Sequence, residues 1–157
     1  MAYLLQPLLR IRAMREDRAA GELTAAKQAV SVATDALAAR KLELEDYLRT
    51  KDERRDRIYD AIIGQAVSRE QIDIANEGVA RIDEEGVLKE DNVRRADAEL
   101  KKREQAEAEA RAAFSLATKN RMKIDEHKAV WLAEDAAEQE RREEGELEDF
   151  MVRKPEI

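Results

Sequence analysis

The chain has only two prolines, at positions 7 and 155, so nothing between them forbids a continuous helix. Within that interval, apolar residues recur at alternating steps of three and four, which is the spacing of a coiled-coil seam. One frame starts at Leu9 and is apolar at every step from Ala19 to Leu37. A second frame runs from Ile72 to Trp131, with twelve of its eighteen positions apolar. A disordered chain has no reason to keep such a period, so the pattern predicts long helices.

The composition favours a coiled coil over a compact core. Charged residues make up 41% of the chain and aromatic residues 4%, which leaves few large apolar side chains for a core. The formal net charge is −7 and the two signs are interspersed, so most charged side chains form a solvated helix surface. An acidic chain without a basic stripe is a poor candidate for binding nucleic acid. The absence of cysteine excludes disulfides and thiolate chemistry.

A turn is predicted between the two frames. Gly64 can end a helix in the left-handed conformation, and Ser68 followed by Gln71 is the signature of a capping box that starts a new helix. We therefore predict a helix over 8–63, a turn over 64–68, a second helix over 69–149 and a frayed tail over 150–157. Because helices this polar are not stable alone, the two must pack on each other. The predicted fold is all-α, a single antiparallel coiled-coil hairpin over 1–157.

The position of the turn also predicts which residues face each other. With the turn centred between Ala66 and Val67, five of six layers place a large residue opposite a small one, as close packing requires. The layers are Tyr47 with Gly86, Leu37 with Ala96, Ala33 with Leu100, Leu23 with Ala110, Ala19 with Phe114, and Leu9 with Ile124.

Two glycines and one layer fit this register less easily. Glycine inside a helix costs about 1 kcal/mol relative to alanine. Packing of Tyr47 accounts for Gly86, whereas the pattern offers no such partner for Gly78. The layer of Arg12 and Arg121 brings like charges together, and we expect both side chains to extend to solvent.

No residue pattern indicates catalysis. None of the five glycines begins a phosphate-binding loop or a dinucleotide fingerprint, and His127 is the only histidine, which argues against a zinc site. A two-helix hairpin offers no pocket in which carboxylates would become an acid–base pair. We therefore expect no catalytic, cofactor-binding or metal-binding residues, and no enzyme activity.

The chain shows no sign of targeting to a membrane. Its first twelve residues lack the basic start and long apolar stretch of a signal peptide. No apolar run is close to the length of a membrane span, which is about 20 residues. We expect a cytoplasmic protein that does not insert into membranes.

Two aromatic positions admit two interpretations each. Trp131 either packs on Leu5 and Leu8 at the open end of the hairpin or contacts a partner, since tryptophan is a common interface anchor. Tyr47 is either a seam residue or a binding residue. Tyr59 lies just off the seam near the turn, which makes it a candidate for an exposed anchor.

Both ends of the sequence resemble a known family. The segment from Tyr3 to Arg12 reads YLLQPLLRIR, an aromatic residue followed by a leucine-rich stretch that leads into a charged helix. The segment from His127 to Trp131 reads HKAVW and is followed by a charged helix to Phe150. Together with the two long helices around a central turn, these features resemble the YscO/SctO family of bacterial type III secretion proteins, which is FliJ-like.

The resemblance implies a coupling role at the base of the secretion apparatus. Proteins of this kind form a helical hairpin that inserts its paired termini into the hexameric secretion ATPase. Another face contacts the cytoplasmic ring of the export gate, and some members bind secretion chaperones. The residues expected to face the ATPase are Leu5, Leu8, Leu9, Ile11 and Trp131. Those expected to face the gate are Tyr47, Leu48, Tyr59 and Ile62.

A second function class fits the same pattern. A generic cytoplasmic coiled coil, acting as a scaffold or a chaperone-escort protein, would show the same heptads. Such a protein would form a parallel dimer, whereas the hairpin interpretation expects a monomer when the protein is isolated.

Overall fold

A computed structural model describes residues 1–153, and the remainder of the predicted frayed tail lies outside the described residues. Two helices account for almost all of this part, α1 over Gln6–Asp60 (55 residues) and α2 over Arg69–Val152 (84 residues). No strand occurs among the described residues. The two helices pack against each other, which confirms the predicted all-α hairpin.

Helix α1 begins two residues before the predicted start. The amide of Gln6 donates to the carbonyl oxygen of Tyr3 at 3.2 Å, and the amide of Leu9 donates to that of Leu5 at 3.0 Å. Pro7 therefore lies in the first turn, where its missing N–H removes no intrahelical hydrogen bond.

The connection between the helices begins at Ala61, three residues before the predicted turn. The amides of Ile62 and Ile63 both donate to the carbonyl oxygen of Tyr59, at 3.0 Å each, so the regular hydrogen-bond ladder ends there. Gly64 then adopts φ of 78°, the left-handed conformation that glycine takes without steric cost.

A reciprocal cap starts α2. The side-chain Oγ of Ser68 accepts from the Gln71 amide at 3.2 Å, while Oε1 of Gln71 accepts from the Ser68 amide at 2.9 Å. This is the capping box that the sequence predicts. At its other end α2 continues past the predicted position 149, and the amide of Arg153 donates to the Asp149 carbonyl at 3.2 Å.

The chain divides into two compact units, each described on its own. The turn unit is Thr24–Glu109, and the terminal unit is Met1–Leu23 together with the described residues from Ala110 onward. In the turn unit, every buried apolar side chain lies at a predicted seam position. These residues are Ala33, Leu37, Tyr47, Ala75, Val79 and Ile82.

Tyr47 packs directly on Gly86 in the turn unit. Tyr47 is 7% exposed, and its hydroxyl donates to the carbonyl oxygen of Ile82 at 2.8 Å. A methyl group added at Gly86 would lie 2.7 Å from Cε1 and Cζ of the tyrosine ring. Glycine is therefore required at this position, because any side chain would occupy the space of the ring.

Gly78 has a packing role that the sequence did not reveal. A Cβ atom at this position would lie 3.2 Å from Cδ1 of Ile58, which is closer than ordinary van der Waals contact. Ile58 is a seam residue of α1, but Gly78 lies beside the α2 seam rather than in it. A seam residue inserts into a hole formed by four residues of the facing helix, so such a flanking glycine can take part in packing.

In the terminal unit, Arg12 and Arg121 of the predicted like-charged layer each form hydrogen bonds with nearby acceptors. The guanidinium of Arg12 donates to the Asn120 carbonyl oxygen at 2.8 Å. Arg121 donates to Glu16 and to Asp125, at 2.6 Å in each case. The expectation that both arginines extend to solvent is thus wrong, because acceptors lie within reach of each. The pKa of Arg121 is raised by its hydrogen bond to Glu16.

Substitution of Gly86 by alanine tests the packing of Tyr47. Alanine favours the helix by about 1 kcal/mol, but overpacking costs about 1–3 kcal/mol, so we expect Gly86→Ala to lower the free energy of unfolding. Gly21→Ala is the matched control, since nothing lies within 4 Å of the added Cβ, and it should stabilise the protein. Urea denaturation followed by circular dichroism measures both. Equal effects of the two substitutions would contradict the packing of Tyr47 on Gly86.

Candidate partner-binding surfaces

An aromatic cluster holds the start of the chain in the terminal unit. The rings of Tyr3 and Trp131 lie 5.3 Å apart between centroids, and those of Tyr3 and His127 lie 5.9 Å apart. Tyr3 Oη and His127 Nδ1 form a 2.8 Å hydrogen bond, in which the hydroxyl donates when Nδ1 carries no proton. Lys128 also donates to Oε1 of Gln6 at 2.9 Å. Trp131 therefore has an aromatic partner in Tyr3, which the sequence analysis did not assign to it.

The residues predicted to face an ATPase all belong to the terminal unit. Leu5, Leu8, Leu9 and Trp131 are half-buried, whereas Ile11 is 46% exposed. Met14 lies one turn from Ile11, is 70% exposed, and was missed by the sequence analysis. It stands outside the heptad seam, and that position could have indicated its exposure. We call Ile11 and Met14 the terminal surface.

The segment of α2 from Ala136 to Val152, here called the α2 extension, carries a second exposed apolar group. Leu147, Phe150, Met151 and Val152 are all exposed. Leu147 and Phe150 lie on one exposed helix face together with Glu143 and Glu146. The sequence analysis expected fraying from position 150 and assigned no role to these side chains.

Beside the connection lies an open apolar groove of about 490 Å³ in the turn unit. Its apolar lining comes from both helices and the connection between them: Ile58, Ala61, Ile62, Ile74, Ala75 and Gly78. Ile62 was predicted to face an export gate, whereas the exposed Ile74 was missed because it lies off the α2 seam. Gln71, Glu77 and Arg81 complete the lining and make its rim polar. We call this the turn groove.

The other residues predicted to face a gate differ in exposure. Tyr59 is half-buried, and its hydroxyl lies 3.5 Å from Oδ1 of Asn76. Leu48 is exposed on α1. Tyr47 is buried on Gly86 and offers almost no surface. Burial raises the pKa of its hydroxyl, and the carboxylates of Asp83 and Glu85 raise that pKa further.

An ion pair joins the two helices next to Tyr47. Arg54 donates to Oε2 of Glu85 at 2.7 Å, and both side chains are more than a third exposed. This hydrogen bond lowers the pKa of Glu85 and raises that of Arg54. Lys89, which lies 3.7 Å from Glu43, also lowers the pKa of Glu85.

The acid dependence of stability tests this pair. Because the pKa of Glu85 is lower in the folded chain, its stabilisation is present above the ordinary carboxylate value of about 4.3. That stabilisation is lost as the pH falls through the folded-state value. We expect Glu85→Gln to lower the free energy of unfolding by about 0.2–1 kcal/mol at neutral pH and to have no effect in strong acid. Glu84→Gln, at an exposed neighbour, is the control. A difference that does not change with pH would contradict the ion pair.

Residues 1–153 show neither a metal site nor a membrane span. No group of three or more histidine and carboxylate side chains is placed to hold a metal ion in this part of the chain. Over the same residues, neither helix contains a stretch long and apolar enough to cross a bilayer. The exposed apolar groups among these residues are the terminal surface, the α2 extension and the turn groove.

Comparison with known families identifies the chain. Residues 5–153 match the family described as type III secretion protein YscO. The chain belongs to the YscO family. The predicted resemblance is therefore confirmed, and so is a role in type III secretion. The YscO family is one of structural or accessory secretion proteins rather than enzymes.

A solved structure supports the fold independently. The structure of a YscO homologue from Chlamydia trachomatis superposes with a TM-score of 0.76 at 18% sequence identity. The match covers 97% of this chain and 93% of that one. A comparison with curated protein sequences found no match.

Removal of Tyr3 tests the aromatic cluster at the start of this YscO-family chain. Tyr3→Ala deletes both ring contacts and the hydrogen bond to His127, so amide exchange in residues 1–10 should become faster. The lost aromatic contacts correspond to about 0.5–1.5 kcal/mol of stability, in addition to the contribution of the buried apolar area. Leu4→Ala is the control, because Leu4 is 88% exposed and contributes little packing. Hydrogen exchange measured by mass spectrometry compares the two, and equal exchange would mean that the cluster does not hold this segment.

Proposed function

We propose that this chain is the central coupling protein of a bacterial type III secretion system. In this proposal it works in the cytoplasm at the base of the apparatus and links the secretion ATPase hexamer to the cytoplasmic ring of the export gate. Membership of the YscO family supports the secretion role. The observation that carries the coupling role is the presence of an apolar partner-binding candidate in each unit, the terminal surface in one and the turn groove in the other.

The ATPase contact is assigned to the terminal unit. Ile11 and Met14 share a helix face and are exposed, although α1 is otherwise strongly charged. In this proposal, half-buried Leu5, Leu8, Leu9 and Trp131 contribute to the same contact. Burial of one such side chain by a partner stabilises a complex by about 1.5–3 kcal/mol.

The gate contact is assigned to the turn unit. Ile62 contributes to the turn groove from the connection and Ile74 from α2, and a helix or strand from a partner would cover both. Tyr59 and Leu48 provide further surface on α1. In this proposal Tyr47 supports the surface from within, because it is buried in the free protein.

Coupling also requires a unit that transmits force without bending freely. The interlocked layers of the turn unit provide this property, since Tyr47 fills the space that Gly86 leaves empty. Bending of the paired helices there would have to open such layers and expose their apolar atoms to water.

Separate loss of the two contacts tests the proposal. The purified chain should bind the secretion ATPase of its own organism and raise its rate of ATP hydrolysis. Ile11→Asp should weaken that binding by about tenfold or more, because a charge replaces an apolar contact. Ile62→Asp should leave stimulation of the ATPase unchanged and instead abolish binding to the purified gate ring.

Val32→Asp is the matched control. Val32 is 58% exposed on α1 and belongs to neither surface, so this variant should bind both partners normally. If the wild-type chain binds neither protein, the coupling role is wrong. Binding to a secretion chaperone without binding to the ATPase would instead favour the chaperone-escort alternative.

A further inference from the structure

The terminal unit contains a groove between its two helices that the proposed function does not use. The groove has a volume of about 200 Å³, and its lining consists of Arg12, Arg15, Ala113, Leu116, Ala117 and Asn120. The two arginines come from α1, whereas the apolar lining comes from α2. Arg12 donates to the Asn120 carbonyl oxygen at 2.8 Å, and this hydrogen bond holds its guanidinium beside the groove.

The groove lies on a face of the terminal unit whose charged side chains are all basic. Alternating steps of four and three residues, taken through Ile11 on α1 and Leu116 on α2, trace this face along the helices. Of the ten positions met over 8–18 and 113–130, only three carry a formal charge. These three side chains are all exposed and basic: Arg15, Arg18 and Lys123. We call Ile11, Arg15, Leu116 and Lys123 the basic face.

Two of the cations on this face have no carboxylate partner. Among the described residues, neither Arg15 nor Lys123 forms an ion pair. Arg121, by contrast, is paired with Glu16 and Asp125. Leu116 is 60% exposed between these unpaired cations. The basic face therefore presents both positive charge and apolar surface to solvent.

The local charge of this region is opposite to that of the whole chain. Between Arg10 and Arg18 there are four basic and two acidic side chains, and between Arg111 and Lys128 there are five basic and two acidic. The formal net charges of these segments are thus +2 and +3, whereas that of the chain is −7. The sequence analysis found no basic stripe because the two segments are far apart along the chain. A field of one sign selects partners of the opposite sign.

We propose that the basic face binds an acidic amphipathic helix of a partner protein. An apolar side chain of that helix fills the groove at Leu116, and its carboxylates pair with Arg15 and Lys123. Leu116 and Lys123 are two helical turns apart, about 10 Å along α2. The partner must therefore carry a carboxylate about two turns from its apolar anchor. This inference goes beyond the coupling role, because charge and shape alone define the partner.

The shape of the basic face favours a helix over other anionic partners. Two helices that lie side by side leave a groove along which a third helix can bury its apolar face. A lipid surface is flat and would not enter the groove, and the chain's net charge of −7 opposes its approach to anionic lipid. Nucleic acid is bound mainly through its phosphates, which would leave the apolar lining uncovered.

Two synthetic peptides test this recognition with the full-length chain. One is an amphipathic helix with leucine on one face and glutamate on the others, and the second has lysine in place of glutamate. Fluorescence anisotropy should show that the glutamate peptide binds at least about tenfold more tightly at about 50 mM salt. The difference should shrink at about 500 mM, because salt screens exposed charges. Equal binding of the two peptides would show that the face does not select negative charge.

Reversal of charge on the basic face locates the contact. Arg15→Glu with Lys123→Glu should weaken binding of the glutamate peptide by about tenfold or more. Lys27→Glu with Lys102→Glu is the matched control, because it changes the net charge equally at exposed positions of the turn unit. Both double variants should keep the helicity of the wild-type chain in circular dichroism. Equal loss of binding in the two would mean that only the total charge matters, and the proposed site would be wrong.

Removal of the apolar anchor point tests the groove itself. Leu116→Ser should weaken binding of the glutamate peptide, and it should do so at both salt concentrations because the lost contact is apolar. Val87→Ser is the control, since Val87 is 66% exposed on α2 but lies in the turn unit. If Leu116→Ser binds like Val87→Ser, the groove takes no side chain and the inference is wrong.

Other occupants of the face would be revealed by the same variants. Anionic vesicles and a DNA duplex are alternative probes, and tighter binding of either one through Arg15 and Lys123 would overturn the choice of a helix. A dimer of the isolated chain that Arg15→Glu with Lys123→Glu disrupts would identify a second copy as the occupant and overturn it equally. None of these measurements contains the secretion ATPase, so failure of the coupling role would not change their outcome.

Discussion

Nesting of large side chains into small ones along the helix seam is the constraint on which the rest of the structure depends. The clearest case is Tyr47, whose ring occupies the space in front of Gly86 while its hydroxyl satisfies the carbonyl of Ile82. No described side chain is completely buried, so no single residue dominates the packing. Stability instead comes from the sum of several mostly buried seam residues, such as Leu37, Val79 and Ile124.

The sequence predicts this seam well because heptad spacing can be read locally, yet it determines which residues of the two helices face each other. Once Ser68 and Gln71 fix where α2 starts, the pairing of Tyr47 with Gly86 follows from the spacing alone. The same reasoning failed where geometry departs from ideal helices. It could not predict that the carbonyl oxygen of Tyr59 would accept hydrogen bonds from two amides where α1 ends at Asp60. Nor could it predict that Ile58 would pack on Gly78, which lies beside the seam.

Partner-binding surfaces were harder to predict than the seam, for a physical reason. Heptads specify which residues face inward, but exposed residues are constrained only by the partner, which the sequence does not contain. Ile11 and Ile62 came from a family resemblance, whereas Met14 and Ile74 were missed, although their positions outside the seam are typical of exposed residues. Tyr3 was missed because it precedes the first heptad, although the register places Trp131 next to it.

Substitutions at exposed residues can test function, whereas substitutions at seam residues also disturb the packing of the chain. Ile11 and Phe150 are exposed, so substitutions there should leave the packing of the chain intact. Trp131 and Tyr47 are different, because Trp131 packs on Tyr3 at the start of the chain and Tyr47 packs on Gly86 of the facing helix. A loss of binding in a Trp131 or Tyr47 variant would therefore mix lost contact with lost structure, and such effects are not additive. Evidence for the coupling role should accordingly come from the exposed positions of each unit.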